Sequence, residues 1–467
     1  MLSLIILSVS GIITLFLGFS KSRWVLMPAT MLFLLVALLF TCLDWKNAAP
    51  YVGGFENMMA VDNISVAFSG IILLSALLII PLSRYQASQP NAQPAEYYAI
   101  LLFSLVGALM MVSYENLIML FVGIEILSIS MYILTGSDKD NLRSGEAAIK
   151  YFLMGAFATG ILLFGVALLY GATGGFSISV IAGYIQSNAG NLSPMLYLGL
   201  TLLLVGILFK LSVAPFHFWT PDVYDGAPSV FTAFMSTIVK TAGFAALYKI
   251  LSASFAGIYD FWWVSLAVMT ALTLVIGNIT AVYQSSFKRM LAYSSISHAG
   301  YLLLAVTAFN EKSQLAIIFY SLAYSLATIT AFGVLILVEQ TGSDKYDSFN
   351  GLAKREPMLA FVNTVAMCSL AGMPLTAGFF GKLFVFSSAV ERGMLWMLVI
   401  AVLMSAVGFY YYFRVIIAMY MRPANDDDSG IVRREVEVSG LYKTVLMLTA
   451  LLTLMLGIMP DIISRLF

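Results

Sequence analysis

Six residues combine a titratable side chain with apolar surroundings that ought to exclude one: Glu125, Lys150, Lys210, Lys240, His298 and Lys382. Glu125 is the lone carboxylate of LFVGIEILSISMYIL, Lys240 lies midway along FTAFMSTIVKTAGFAALY, and His298 sits among the serines of SSISHAGY. The chemistry such groups can do together is proton transfer. Burial disfavours charge on a carboxylate or an ammonium alone, whereas proximity favours charge on both, so their spacing decides whether a proton is held or released. Lys150 has two readings, because Glu146 stands four residues before it: an intrahelical pair, or a bridge between Glu125 and Lys210. His298 can carry protons with the hydroxyls of Ser294, Ser295 and Ser297, or be a satisfied packing group. His217 can equally bond a backbone carbonyl. Arg414, near the end of an apolar run in YYYFRVIIAMY, reads as structural, and Tyr410 to Phe413 as interface anchors or packing.

Two of the lysines adjoin broken elements. In LFKLSVAPFHFWTPDVYDGAPS, Lys210 is followed by Pro215 and Pro221, and in LAGMPLTAGFFGKLFVF, Pro374, Gly378 and Gly381 interrupt the run that carries Lys382. Proline removes a backbone donor, and the carbonyls so freed are tolerated at membrane depth only where protein or water covers them. Matching interruptions in two halves of a chain point to internal repeats around an ion site.

The elements that must hold these residues are membrane helices. Sixty-one per cent hydrophobic residues, ten per cent charged residues and a mean hydropathy of +0.93 over 467 residues exclude a soluble globule. Apolar runs long enough to span about 30 Å of hydrocarbon begin near residues 2, 24, 63, 97, 116, 147, 195, 228, 261, 290, 314, 358, 394 and 444. That predicts an all-α polytopic membrane protein of about 14 transmembrane helices, with the breaks in the seventh and twelfth.

Basic residues test the count, since cytoplasmic loops collect them. With the first span running inward, Lys21, Arg23, Arg84, Lys139, Arg143, Lys288, Arg289, Lys345, Lys354, Arg355, Arg422, Arg433, Arg434 and Lys443 fall on the cytoplasmic side. Lys46, Lys249, Lys312, Arg392 and Arg465 fall on the other. Both termini are then periplasmic. Because the breaks lie five spans apart, an odd offset, the expected domains are a three-helix segment (1–96), a five-helix repeat (97–253), an inverted five-helix repeat (254–420), and a polar connection with the last span (421–467).

Other chemistry finds no support in the residues. Lys+Arg and Asp+Glu are both 24, so no basic excess suggests nucleic acid. The sequence has no P-loop, dinucleotide glycine run, C-x-x-C or H-E-x-x-H, so no cofactor or metal is expected in this chain. Cys42 and Cys368 read as inert core residues, GATGG (171–175) as an outer turn, and Met421 to Lys443, with Asp426, Asp427 and Asp428, as a solvated connection. Leu2 to Phe19 lacks a basic leader and reads as a retained span, not a signal peptide.

EAAIKYFLMGAF, LFKLSVAPFHFWTPDVYDGAPSVFTAFMSTIVKTAGF, QSSFKRMLAYSSISHAGY and AGMPLTAGFFGK together resemble the antiporter-like subunits of bacterial proton-pumping NADH:quinone oxidoreductase, respiratory complex I, over roughly residues 60–420. Val223 to Pro228 is similar to the N type. The resemblance implies an inverted-repeat antiporter-like fold and proton-carrying roles for Glu125, Lys150, Lys210, Lys240 and Lys382. It also implies a bacterial inner-membrane location and partner membrane-arm subunits, among them a second antiporter-like chain. FMN, iron–sulfur clusters and a quinone site are expected in other subunits, which would supply the driving energy. The lateral helix of the L type is not expected here. A sodium/proton antiporter or membrane-bound hydrogenase subunit is the nearest alternative, and a passive scaffold that moves no proton is the other.

Overall fold

The computed structural model describes residues 2–19, 23–45, 57–89, 91–423 and 438–464. Lys21, Lys46, Arg433, Arg434, Arg465 and the three aspartates 426–428 lie outside the described residues, as does most of the polar connection.

Among the described residues, eleven helices are long and apolar enough to cross a membrane. Three shorter positions complete the fourteen expected from the sequence: Leu2–Leu17, Pro194–Lys210, and Pro357–Ala371 with its continuation Ala377–Glu391. The last two are short because they are the interrupted seventh and twelfth spans. The seventh stops at Lys210 and resumes as Trp219–Gly226; the twelfth stops at Ala371 and resumes at Ala377.

Among the described helices of ten residues or more, one is additional to the sequence reading. Ile178–Ser187 is ten residues long and buries Ile178, Ile181 and Ile185 on one face, so it is amphipathic and too short to span. The GATGG stretch also differs in detail. Its first three residues complete the long Leu142–Thr173 helix, and Gly174 closes that helix with a left-handed φ of 78° and an N–H bond to the Tyr170 carbonyl, 2.7 Å.

By contacts the chain forms two units. The first contains Met1–Trp219, Gly226–Phe231 and Ile238–Leu266; the second contains Thr220–Asp225, Thr232–Thr237 and Ala267–Phe467. Burial sorts the spans by role. The eighth span (Ser229–Ala253) is buried throughout its apolar stretch, and the tenth (Phe287–Ala308) and eleventh (Glu311–Gln340) nearly so, whereas no more than about a third of the second and thirteenth is buried. Lys240 and His298 belong to the enclosed class and do not face lipid. Cys42, by contrast, lies on an exposed face of the second span and Cys368 is half-buried, so the core placement expected for Cys42 is corrected.

Glycine fixes how closely the split twelfth span packs. A Cβ at Gly378 would lie 1.8 Å from the Ser369 carbonyl oxygen, and one at Gly457 in the last span would lie 2.3 Å from the Leu375 carbonyl oxygen. Gly160, in the sixth span, has nothing within 4 Å of the same position. Gly378→Ala is therefore expected to destabilise by at least the ~1–3 kcal/mol typical of overpacking, while Gly160→Ala gains about 0.5–1 kcal/mol of helix propensity. Membrane abundance and thermal aggregation of the two variants check this; equal behaviour would contradict the packing argument.

Candidate functional site

In the first unit, Lys210 is the last residue of its half-helix. The backbone then turns through Ser212 at φ 61° and the cis Ala214–Pro215 bond. The carbonyls that lose helical partners find others: the Leu208 oxygen accepts from the Val213 N–H (3.0 Å) and the Phe209 oxygen from the Trp219 indole (2.9 Å). Trp219 is held by a flat stack on Tyr151 at 4.6 Å. The Lys210 ammonium is 5% exposed and donates to the Tyr132 hydroxyl at 2.8 Å, with the Tyr132 ring 5.2 Å away.

Tyr132 stands seven residues, two helical turns, beyond Glu125 and so shares its face. The Glu125 carboxylate is within electrostatic range of both Tyr132 and Lys210, and its Oε1 is buried without a hydrogen-bond partner. Room for the phenol comes from the sixth span, where a Cβ at Gly155 would lie 2.0 Å from the Tyr132 hydroxyl. Lys150 is placed differently. Its side chain is 41% exposed and pairs with Glu146 at 2.8 Å, which is the intrahelical alternative. The structure brings Glu125 and Lys210 together through Tyr132, and leaves Lys150 on an outer face.

Lys240 is the twelfth residue of the 25-residue Ser229–Ala253 span and is 2% exposed. The five residues before it, Met235–Val239, form a π-helical turn. Such turns widen the i→i−4 ladder and recur at functional positions.

In the second unit, the Lys382 ammonium reaches back across its break to donate to the Ala371 carbonyl (2.7 Å) and to Ser405 Oγ (2.9 Å). It also lies 4.9 Å from the Tyr301 ring centre. Gly372 is required twice over: its φ is +87°, and a Cβ there would meet Lys382 Cδ at 2.8 Å. Insertion of a lysine at mid-bilayer depth costs about 2.5–3.5 kcal/mol, and hydrogen bonds of a charged group contribute about 1.5–3 kcal/mol each. The two bonds therefore offset the cost, and the same ammonium serves a carbonyl that the break had stranded.

His298 is 3% exposed. Its Nδ1 lies 2.7 Å from the Tyr320 hydroxyl and its Nε2 lies 3.0 Å from the Tyr412 hydroxyl, which is itself bonded to Ser294 Oγ. The serines expected beside this histidine thus act through a tyrosine. Tyr132, Tyr320, Tyr412 and Ser405 are the residues sequence reasoning missed. Only Tyr132 carried a usable signal, its spacing of seven from Glu125.

Arg414 is tied down structurally, donating to the Gln284 carbonyl (3.1 Å) with its guanidinium 4.2 Å over the Tyr346 ring. His217 stacks on Phe218 beside the first break. Among the described residues, no three His, Cys, Asp or Glu side chains gather as a metal site.

Known proteins carry the same architecture. Residues 115–408 match the family described as NADH:quinone oxidoreductase/Mrp antiporter, TM. The NADH-quinone oxidoreductase subunit N of Cytophaga hutchinsonii is 38% identical over 99% of this chain and 98% of its own length. A chain of respiratory complex I from Thermus thermophilus superposes with a TM-score of 0.81 at 34% identity, covering 98% of this chain and 97% of that one. One from the membrane-bound sulfane sulfur reductase, an archaeal respiratory membrane complex, reaches 0.87 at 27% identity over 100% and 95%. With the family matched over more than half of its length and that identity sustained along nearly all of it, the chain belongs to the NADH-quinone oxidoreductase subunit N family.

Proposed function

We propose that this chain is a proton-translocating membrane-arm subunit of NADH:quinone oxidoreductase and that its protons move by way of Glu125, Lys210, Lys240, His298 and Lys382. Lys150 takes part when its helix face is covered by a neighbouring subunit. The observation that carries the reading is the setting of three lysines, each at most 6% exposed in the middle of an apolar span. Two of them sit at interrupted helices, and one follows a π turn. Lys210 and Lys382 are held by a phenol, a carbonyl and a hydroxyl, partners that do not pin their charge.

The electrostatic lever is large enough. Bringing a carboxylate to about 4 Å from an ammonium is worth about 4 kcal/mol at an effective dielectric of 20. Moving one charge against ~180 mV costs about the same. A change in the distance from Glu125 to Lys210 can therefore drive a proton off or onto the lysine against a membrane potential. The energy for that change comes from electron transfer in partner subunits, which hold the FMN, iron–sulfur clusters and quinone site. A second antiporter-like subunit lies next in the arm. The location is the bacterial inner membrane, with both termini periplasmic and the basic loops cytoplasmic.

Replacing Lys210, Lys240 or Lys382 by Ala in the intact complex is expected to lower proton pumping severely while the complex still assembles. Full pumping in the assembled variants would leave only a scaffold role. Loss of the Tyr132 bond, worth ~1.5 kcal/mol or more for a charged donor, predicts about a tenfold fall in pumping rate for Tyr132→Phe. Gly155→Ala should produce a similar loss by displacing the same hydroxyl, and the double variant should be no worse than either single one. Pumping measured in membrane vesicles for the three variants decides, and additive losses would separate Gly155 from the Lys210 site.

A further inference from the structure

The YYYFR cluster, residues 410–414, reads from sequence as interface or packing aromatics, but its members differ sharply in the fold. Tyr410 is 62% exposed, whereas Tyr411 and Tyr412 are each 1% exposed. Tyr411 donates to Asn278 Oδ1 at 2.9 Å. Tyr412 projects from the Leu395–Met421 helix onto the Phe287–Ala308 helix, where it meets both Ser294 and His298. The His298 ring is caged on its remaining sides by Tyr324 at 4.8 Å and Tyr301 at 5.9 Å between centres.

We infer that Tyr412 is a positioning residue for His298: it writes the tautomer of the ring through its bond to Ser294, so that a proton enters at one ring nitrogen and leaves from the other. This rests on the proton-carrying reading of His298 given above.

With the Tyr412 phenol proton given to one of its two neighbours, Ser294 or His298, the bonding rules leave two arrangements. A neutral imidazole has one N–H donor and one acceptor, and a phenol has one proton to give. If Tyr412 donates to Ser294, Nε2 donates to Tyr412 and Nδ1 accepts from Tyr320. If Ser294 donates to Tyr412, Tyr412 donates to Nε2 and Nδ1 donates to Tyr320. The direction of the Ser294–Tyr412 bond therefore selects which ring nitrogen carries the proton, and the change of tautomer itself takes one proton onto the ring and one off it. When an incoming proton makes the ring an imidazolium, both nitrogens donate and both phenols accept. Release of the proton from the opposite nitrogen restores a neutral ring in the other tautomer, with one proton in, one out and no net charge left behind.

Direction follows from the packing. Tyr320 lies against the helix that bears Lys382, since a Cβ at Gly381 would stand 2.8 Å from Tyr320 Cδ2. Nδ1 is thus the nitrogen on the Lys382 side, and Nε2 faces the serines.

The test uses the whole complex in membrane vesicles, with pumping rate and the solvent deuterium isotope effect on NADH-driven turnover as readouts. Tyr412→Phe keeps the ring and removes only the hydroxyl. The expected loss in pumping rate is about tenfold, equivalent to ~1.4 kcal/mol in the barrier, together with a larger isotope effect. Tyr410→Phe should leave both readouts unchanged. Combining Tyr412→Phe with His298→Ala should be no worse than His298→Ala alone, because a residue acting through His298 has nothing left to position. Ser294→Ala, which removes the far partner of the hydroxyl, should change the isotope effect in the same direction and serves as the decisive variant if Tyr412→Phe does not assemble. Normal pumping and isotope effect in Tyr412→Phe, or in Ser294→Ala where that variant decides, overturns the inference while a deficient His298→Ala leaves the carrier reading standing. Normal pumping in His298→Ala overturns the carrier reading itself.

Discussion

The bond from the Lys382 ammonium to the Ala371 carbonyl is the interaction on which the rest of the arrangement turns. A helix that ends at membrane depth strands carbonyls that lipid cannot satisfy, and a lysine at that depth lacks the water its charge requires. Each is costly alone; together they largely cancel. The partial negative charge at the carbonyl end of a helix adds to the attraction. Once that solution is adopted, other residue types are dictated: Gly372 to turn the chain and admit the lysine stem, Gly378 to let the two half-helices touch, and Ser405 to take a second ammonium proton.

The character of the partners matters as much as their number. Lys210 and Lys382 are bonded to neutral oxygens, while Lys150 and Lys249 form ion pairs with carboxylates, Glu146 at 2.8 Å and Glu115 at 2.9 Å. An ion pair at about 4 Å gains about 4 kcal/mol at an effective dielectric of 20 and holds the ammonium charged. A neutral acceptor contributes about half as much and remains a reasonable partner once the proton has left, because a neutral amine still donates. Neutral partners therefore suit a group that must give its proton away, and acidic partners suit one that must keep it. Glu125 stands between these cases, within electrostatic range of Lys210 with its Oε1 unbonded.

How much of this was legible in the sequence depends on whether the bilayer had made a residue improbable. Lysines in apolar runs and prolines beside them are costly in lipid, so Lys210, Lys240, Lys382 and the two breaks stand out in the sequence alone. The expected segregation of Arg and Lys between the two sides supports an even span count for the same reason. Tyrosine is not improbable in a membrane protein, and Tyr132, Tyr320 and Tyr412 were therefore hidden among aromatics with ordinary interfacial explanations. Their partners lie far off in the chain, 78 residues for Lys210 and Tyr132 and 114 for His298 and Tyr412. Nothing local could announce them. The π turn before Lys240 was invisible because MSTIV is an unremarkable helical sequence, and the Ile178–Ser187 helix because ten residues with a one-sided apolar pattern fall below the length that a span search detects.

The two broken spans reach their common end from opposite directions along the chain. Lys210 is the last residue of the half-helix before its break, whereas Lys382 is the sixth residue of the half-helix after its break and folds back onto Ala371. What is repeated is a physical situation, an ammonium at an interrupted helix with an uncharged oxygen to hold it, and not a motif in fixed order. Two segments built to such a requirement need share few residues at matching positions. It also explains why the left-handed residue of the first break can be Ser212, while of the two in the second, Gly372 and Leu375, the one beside the lysine is glycine. Only in the second does the lysine stem pass over the turn and occupy the space a Cβ would need.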